Sequence, residues 1–244
     1  MTSTNGPGRL GNQIIRNLAV CLLAKKYDLN VDYTNKDLIN KLGIELFSGS
    51  RIHKKTIQLT DNNYFTIYNS NNLNCNLDPN NDFFQTKEIT NFLYNYLHTD
   101  KIMFNIIKHN QFKERYGTNN DLCIHVRLTD ATSWNPGITY YINAIRNVNF
   151  EKLYIATDEI NHNIIIKLRE LYPASQLINF DEITTIQFAS TCKHIILSHG
   201  SFSALIGYLS FFSNIYYPEY ELGKIWYGDM FSIDSNNWKK LSVS

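Results

Sequence analysis

The sequence predicts an α/β protein whose second half winds around a parallel sheet. Two observations predict it. Short apolar runs alternate with amphipathic segments from Leu122 to Tyr217, and polar turns follow several of those runs. In order, Leu122–Val126 reads as a buried strand and Thr139–Asn147 as a helix. Strand Leu153–Ala156, helix Ile160–Leu171, strand Gln176–Asn179 and helix Ile183–Cys192 follow. Strand His194–Leu197, helix Phe202–Phe212 and strand Asn214–Tyr217 complete the series. Such alternation indicates right-handed βαβ units.

The first half is less regular. A turn, Asn5-Gly6-Pro7-Gly8, leads into a helical pattern from Asn12 to Tyr27. There Ile14, Ile15, Leu18, Ala19, Leu22 and Leu23 recur at i, i+4 and i+8. Leu29–Tyr33 is a short strand. Asn residues and Pro79 mark Tyr68–Asp82 as an exposed loop, and helices resume at Thr86–His98 and Lys101–Gln111. The domain boundary is expected at Tyr116–Asn120, where Gly117 and a pair of Asn interrupt the pattern, giving domains 1–118 and 119–244.

Composition narrows the function. With 244 residues the chain can bury a large core, and a formal net charge of +1 lacks the basic excess of a bulk nucleic-acid binder. No apolar run approaches the ~20 residues of a membrane span, and the first 16 residues lack the apolar stretch of a secretory signal. A soluble, cytoplasmic chain is expected. The four cysteines are dispersed and expected to be reduced.

Three polar segments could carry chemistry. In His125-Val126-Arg127-Leu128-Thr129-Asp130, strand alternation sends His125 and Arg127 to one side, with Asp130 in the turn. A guanidinium suits a diphosphate; the plain alternative is an Arg–Asp pair closing the strand. Ser198-His199-Gly200-Ser201-Phe202-Ser203 enters an apolar helix, where free N–H groups could hold a phosphate; the alternative is a serine N-cap. Gly8-Arg9-Leu10-Gly11-Asn12-Gln13 reads as neither a G-x-G-x-x-G after a strand nor a Walker loop. Its glycines permit close approach, and Arg9, Asn12 and Gln13 offer donors; the alternative is a flexible turn. The turn Thr157-Asp158-Glu159 adds carboxylates at another strand end. No metal is expected: His194 and His199 flank a strand, and no Asp-x-Asp occurs.

Together these segments resemble the alpha-1,2-fucosyltransferases of glycosyltransferase family 11, part of a wider group with alpha-1,6- and protein O-fucosyltransferases. Gly8 to Gln13 resembles the GGLGNQ signature and His125 to Asp130 the HxRRxD motif. Thr157-Asp158-Glu159 resembles the S/T-D-D/E turn, Cys192-Lys193-His194 the CKH, and His199 to Ser203 the NSSFS segment. Tyr217-Pro218 followed by Trp226 resembles the last strand and closing aromatic.

The resemblance implies a GT-B architecture of two facing Rossmann-like domains with parallel sheets, the C-terminal one more regular. It implies inverting, metal-independent transfer of L-fucose from GDP-fucose to a glycan hydroxyl, with an alpha-1,2 linkage to a galactose-terminated acceptor. Arg127 would contact the diphosphate, with Asp130 and Asn12 also catalytic. His125, Asp158, Glu159, His199, Gly200, Ser201, Phe202 and Ser203 would line the donor site, His125 near the nucleoside and Ser201 near the β-phosphate. Arg9, Gly11, Asn12 and Gln13 would lie on the acceptor side. No cofactor is implied, and a missing anchor fits bacterial or viral members. Departures from the pattern are Leu128 for the second arginine, Thr185 for an aspartate that would hold guanine, and Ala204-Leu205 for a tryptophan pair. Asp181 or Glu182 could replace that aspartate. The general base stays open among Asp130, Asp158 and Glu159. So do a transferase using another nucleotide sugar and a catalytically silent binding module.

Overall fold

A computed structural model describes residues 1–130, 132–219 and 229–243. Trp226 lies outside the described residues. The chain forms two compact units. One holds Met1–Asn105 and a short later segment ending at Ile233; the other holds the chain from Ile106 and its end from Asp234.

The first unit begins with strand β1 (Thr2–Ser3), helix α1 (Leu10–Tyr27) and strand β2 (Val31–Asp32), with β1 and β2 parallel. α1 is buried around most of its circumference, Ile14 through Ala24 all lying inside. It is the unit's central element rather than a surface helix with one apolar stripe. Asp28 ends it in the left-handed conformation, its N–H on the Ala24 carbonyl. Helix α2 (Lys36–Lys41), strand β3 (Thr56–Gln58), helix α3 (Tyr64–Tyr68) and strand β4 (Asn76–Asp78) follow, with β3 and β4 parallel. The Leu77 amide donates to Thr2 Oγ1 at 2.9 Å, which ties β4 to β1. Helices α4 (Lys87–Leu97) and α5 (Asp100–His109) come last.

Two expectations are corrected here. Tyr68–Asp82 is not an exposed loop throughout, because it contains β4 with Asn76 and Leu77 buried. Asn76 is affordable inside because its side chain accepts from the His53 amide and donates to the His53 carbonyl. The strand expected over Leu29–Tyr33 shortens to β2, with Leu29 in an isolated bridge to Arg51.

The second unit follows the predicted alternation closely. Its elements are β5 (Leu122–Val126), α6 (Ile138–Arg146), β6 (Leu153–Thr157), α7 (Asn163–Leu171) and β7 (Gln176–Ile178). Then come α8 (Glu182–Ala189), β8 (His194–Ile196), α9 (Ser201–Tyr208), β9 (Asn214–Glu219) and β10 (Trp238–Ser242). All six strands are parallel, in the order β10-β9-β8-β5-β6-β7. Numbered within the unit this is 3-2-1-4-5-6, the doubly wound Rossmann order, whose reversal between β5 and β8 opens a crevice at the strands' carboxyl ends. Leu122, Ile124 and Val126 of β5 are fully buried with Ile155, Ile196, Tyr140 and Tyr141 around them. That buried register makes a one-residue slip of β5 costly, and so fixes which side chains reach the crevice.

β10 was not foreseen. Its run Lys239-Lys240 is polar because it forms the sheet edge, while Trp238 is buried against Gly207. The second unit also recruits the end of α5 and the segment after it. Asn110 Nδ2 donates to the Gln187 carbonyl at 2.8 Å, and Arg115 pairs with Asp121 at 2.8 Å. Among the described residues no helix is long and apolar enough to cross a membrane.

Candidate functional site

At the crevice between β5 and β8, two of the predicted residues, His125 and Arg127, meet the start of α9. Strand alternation does bring His125 and Arg127 to the same neighbour: His125 Nδ1 is hydrogen-bonded to Ser203 Oγ, and the Arg127 guanidinium lies against Gly200. A Cβ on Gly200 would sit 2.5 Å from Arg127 Nη1, and Gly200 has φ +90°. Both facts require glycine there. The N-cap of α9 is Gly200, which has no side chain to cap the helix. The N-cap is thus a glycine and not a serine, and the Arg127 guanidinium stands beside it. A cation next to the positive end of a helix dipole is an arrangement that favours an anion between them.

Asp130 holds Arg127 in this state. Arg127 Nη2 donates to both Asp130 oxygens, at 3.0 and 3.1 Å, and Nε to Oδ1 at 3.3 Å. With Asp130 44% exposed such a pair contributes at most about 1 kcal/mol, so an incoming anion can compete for the guanidinium. Ser201 opens α9 and Phe202 packs 5.2 Å from the His125 ring.

The other carboxylates of this edge are structural. Asp158 Oδ1 accepts from the Leu128 amide at 2.7 Å, and Oδ2 from the Thr129 hydroxyl at 2.6 Å. Burial opposes its ionisation, but these bonds outweigh burial and hold the carboxyl below its usual range. Glu159 accepts from the Asn161 amide and closes its own turn. Leu128 is fully buried in the core, so the β5 turn carries a single guanidinium. Thr185 is buried in α8, its hydroxyl donating to the Phe180 carbonyl, and Asp181 Oδ1 caps the same helix by accepting from the Thr184 amide.

Behind the crevice runs a chain of polar groups that joins the predicted Ser198 and His199 to Asn135 and Tyr141, which sequence reasoning missed. Asn135 Nδ2 donates to the Arg127 carbonyl at 2.9 Å and to Tyr141 Oη at 3.0 Å. Tyr141 donates to Ser198 Oγ at 2.9 Å, which is hydrogen-bonded to His199 Nδ1 at 3.1 Å. The Ser198 amide donates to Ser203 Oγ at 3.1 Å. Tyr140 and Tyr141 are both buried in α6, and nothing in their spacing announced a polar partner.

The first unit has its own turn at strand carboxyl ends. Gly6-Pro7-Gly8-Arg9-Leu10-Gly11 follows β1 and opens α1, so the chain does contain a G-x-G-x-x-G after a strand, and the expectation is corrected. It was hidden because β1 is only two residues long. Gly8 has φ +108°, and a Cβ there would lie 2.7 Å from Asn12 Cβ. The turn is not an open dinucleotide crevice, however. The Thr34 amide donates to Thr4 Oγ1 and Asn35 to Gln13 Oε1, so the β2 loop closes over it. Gln13 also donates to the Gly8 carbonyl at 2.8 Å and is spent within the turn. Asn12 Oδ1 accepts from Gln85 at 2.8 Å, which leaves the Asn12 amide nitrogen as the donor on offer. Arg9 is exposed and Gly11 buried in the first turn of α1.

Arg16 was also missed. It is fully buried, donating from Nη2 to the Pro7 carbonyl at 2.9 Å and the Asp82 carbonyl at 3.3 Å. Burial lowers its pKa from the usual arginine value. A charge amid Ile14, Ile15, Leu18 and Ala19 was the available signal.

No family model matches the chain, and no curated protein matches it. Among solved structures it is similar to the crystal structure of POFUT1 in complex with GDP-fucose. That likeness has a TM-score of 0.38 and 10% identity, over 86% of this chain and 95% of that one.

Proposed function

We propose that this protein is an inverting glycosyltransferase that moves L-fucose from GDP-fucose to a glycan hydroxyl, forming an alpha-1,2 linkage to galactose. One observation carries the nucleotide-diphosphate half of the reading: Arg127 lies against Gly200 at the uncapped start of α9, in the crevice of a doubly wound sheet. The fucose half rests on the ordered motifs from Gly8 to Ser203 in the sequence.

In this reading the diphosphate takes Asp130's place on Arg127. Negative charge that develops on the leaving group is then met by the guanidinium and by backbone N–H groups already in position. The same groups supply the positive charge that a divalent cation would otherwise bring, and the reaction proceeds without metal. Asp158 is a weak base because both its oxygens are engaged, so departure of the diphosphate leads and proton loss from the acceptor follows. The first unit, from Met1 to Asn105, shapes the acceptor side, with the Asn12 amide as the donor toward a sugar hydroxyl, and the second unit, from Ile106, holds the nucleotide.

Calorimetric titration with GDP, UDP and GDP-fucose, without added metal, tests the donor. Selective binding of GDP and GDP-fucose is expected. Arg127→Ala should abolish that binding and lower turnover at least 100-fold, with a shift in Tm of only a few degrees. Full activity in Arg127→Ala rejects the site. The second reading, another nucleotide sugar, is favoured by Thr185, whose engaged hydroxyl offers guanine no carboxylate; preference for UDP would establish it.

A further inference from the structure

The ladder between β5 and β8 stops short of the site. Its register pairs Leu122 with His194, Cys123 with Ile195 and Ile124 with Ile196. Arg127 and Gly200, which lie against each other, come after the last of these pairs on their strands. Backbone pairing between the two strands therefore does not set the spacing of that contact.

Side chains take over where the ladder ends. Asn135 Nδ2 donates to the Arg127 carbonyl at 2.9 Å and to Tyr141 Oη at 3.0 Å. Asn135 Oδ1 accepts from the Gly137 amide at 2.9 Å, so backbone groups on both sides fix which way the side-chain amide points. Tyr141 is fully buried and gives its one hydroxyl proton to Ser198 Oγ at 2.9 Å. The Ser198 amide donates to Ser203 Oγ at 3.1 Å, within the first turn of α9. Hydrogen bonds thus run without a break from the main chain of Arg127 to the helix start that it faces.

We propose that Tyr141 is a positioning residue, the central link of a brace from Asn135 through Tyr141 and Ser198 to Ser203. The brace sets the gap between the Arg127 backbone and the start of α9, and with it the fit of a diphosphate between them. The anion half of this proposal rests on the nucleotide reading above; the brace does not.

The brace grips main chain and leaves the guanidinium to change partners. The Arg127 side chain is held by the half-exposed Asp130 and can exchange that carboxylate for an anion, while its backbone stays in place. Donors fixed before the ligand arrives lose little freedom on binding, and a displacement of about 1 Å can cost about 100-fold in rate. Tyr140, the preceding residue of α6, supplies the comparison. It is also buried, and its hydroxyl donates to the Leu197 carbonyl at 2.8 Å, outside the brace.

The test removes one hydroxyl at a time. Tyr141→Phe and Tyr140→Phe each keep the ring, lose one buried hydrogen bond and should lower Tm by a similar few degrees. In calorimetric titrations Tyr141→Phe should weaken inorganic pyrophosphate and GDP about tenfold, while Tyr140→Phe stays within about twofold of the wild type. Ser198→Ala breaks the next link and should cost the same factor, and the double variant Tyr141→Phe/Ser198→Ala should cost no more than either change alone. Equal weakening by the two tyrosine variants, or additive losses in the double variant, overturns the proposal. In the ligand-free protein, exchange of the Gly137 and Ser198 amides should quicken in Tyr141→Phe and not in Tyr140→Phe. Unchanged exchange at both amides overturns the brace. Failure of the wild-type protein to bind either pyrophosphate or GDP overturns the nucleotide reading and the anion half with it, while amide exchange still decides the brace.

Discussion

The two units place polar loops beyond the carboxyl ends of parallel strands, but they hold those loops by different means. In the second unit six strands of three to six residues form one continuous sheet, and β5 and β8 deliver Arg127 and Gly200 to their positions. Side chains there bond mostly to one another, from Asn135 through Tyr141 to Ser198. In the first unit the strands are two or three residues long, too short to fix a loop by register. A buried charge replaces the sheet: Arg16 reaches from α1 to the Pro7 and Asp82 carbonyls and so ties the turn after β1 to the loop after β4. Where strands are short, loop geometry depends on single residues, and the unit is correspondingly more fragile to substitution.

The largest expected effect follows from that dependence. Arg16→Leu keeps the apolar bulk in α1 but removes the charge-assisted hydrogen bonds to the Pro7 and Asp82 carbonyls that tie the turn to the loop, and should destabilise the first unit by about 3 kcal/mol. Denaturant unfolding measures the loss. Amide exchange should rise in the Gly6–Gln13 turn while α9 keeps its protection. A loss below about 0.5 kcal/mol, within the range of an ordinary surface substitution, would mean that the turn is held by something other than the guanidinium.

The same contrast explains what could be read from the sequence. Leu122–Val126 matched its predicted bounds because a strand buried on both faces is a continuous apolar run with polar ends. β1, β3 and β4 left no such pattern: two or three residues do not show an alternation, and Asn76 looked like loop material although its amide is satisfied inside. The second strand of the G-x-G-x-x-G unit survives only as Val31–Asp32. In the candidate site, His125, Arg127 and Gly200 were legible because strand ends and glycines before helices are local signals. The pairing of Ser203 with His125, 78 residues apart, was not. Nor was the structural use of Asp158, since a carboxylate in a turn reads alike whether it faces ligand or backbone.

A smaller effect separates backbone strain from the site itself. Gly137 and Gly200 are both N-cap glycines with positive φ, +86° and +90°, but a Cβ on Gly137 would meet nothing within 4 Å. Gly137→Ala should therefore cost only the conformational strain, about 1 kcal/mol. Gly200→Ala should cost that strain and also displace Arg127, weakening GDP about tenfold or more where Gly137→Ala leaves affinity intact. Equal affinities in the two variants would show that Arg127 does not need its approach to the α9 backbone.

The effect that depends most on conditions is in acid, where the two units should respond with opposite sign. His125, neutral in the folded protein down to about 3, takes up a proton near 6.5 when unfolded. Between those values the unfolded state binds the extra proton, so acidification weakens the second unit, by at most about 1.4 kcal/mol per pH unit. Asp61 behaves the other way. Its carboxyl is pushed up to about 6, by burial first and by neighbouring Asp82 second, against a hydrogen bond from the Phe84 amide. From about pH 6 down to about 4 the folded state holds the proton that the unfolded state has released, so acidification strengthens the first unit. Partial exposure reduces that gain, so the two contributions cancel only in part. Amide exchange followed from pH 6.5 to pH 4 should show protection falling in α9 and rising in α1. His125→Gln should flatten the first trend alone and Asp61→Asn the second alone. Were either variant to flatten both, the two units would be unfolding as one, and the division at Asn105 would describe geometry without describing stability.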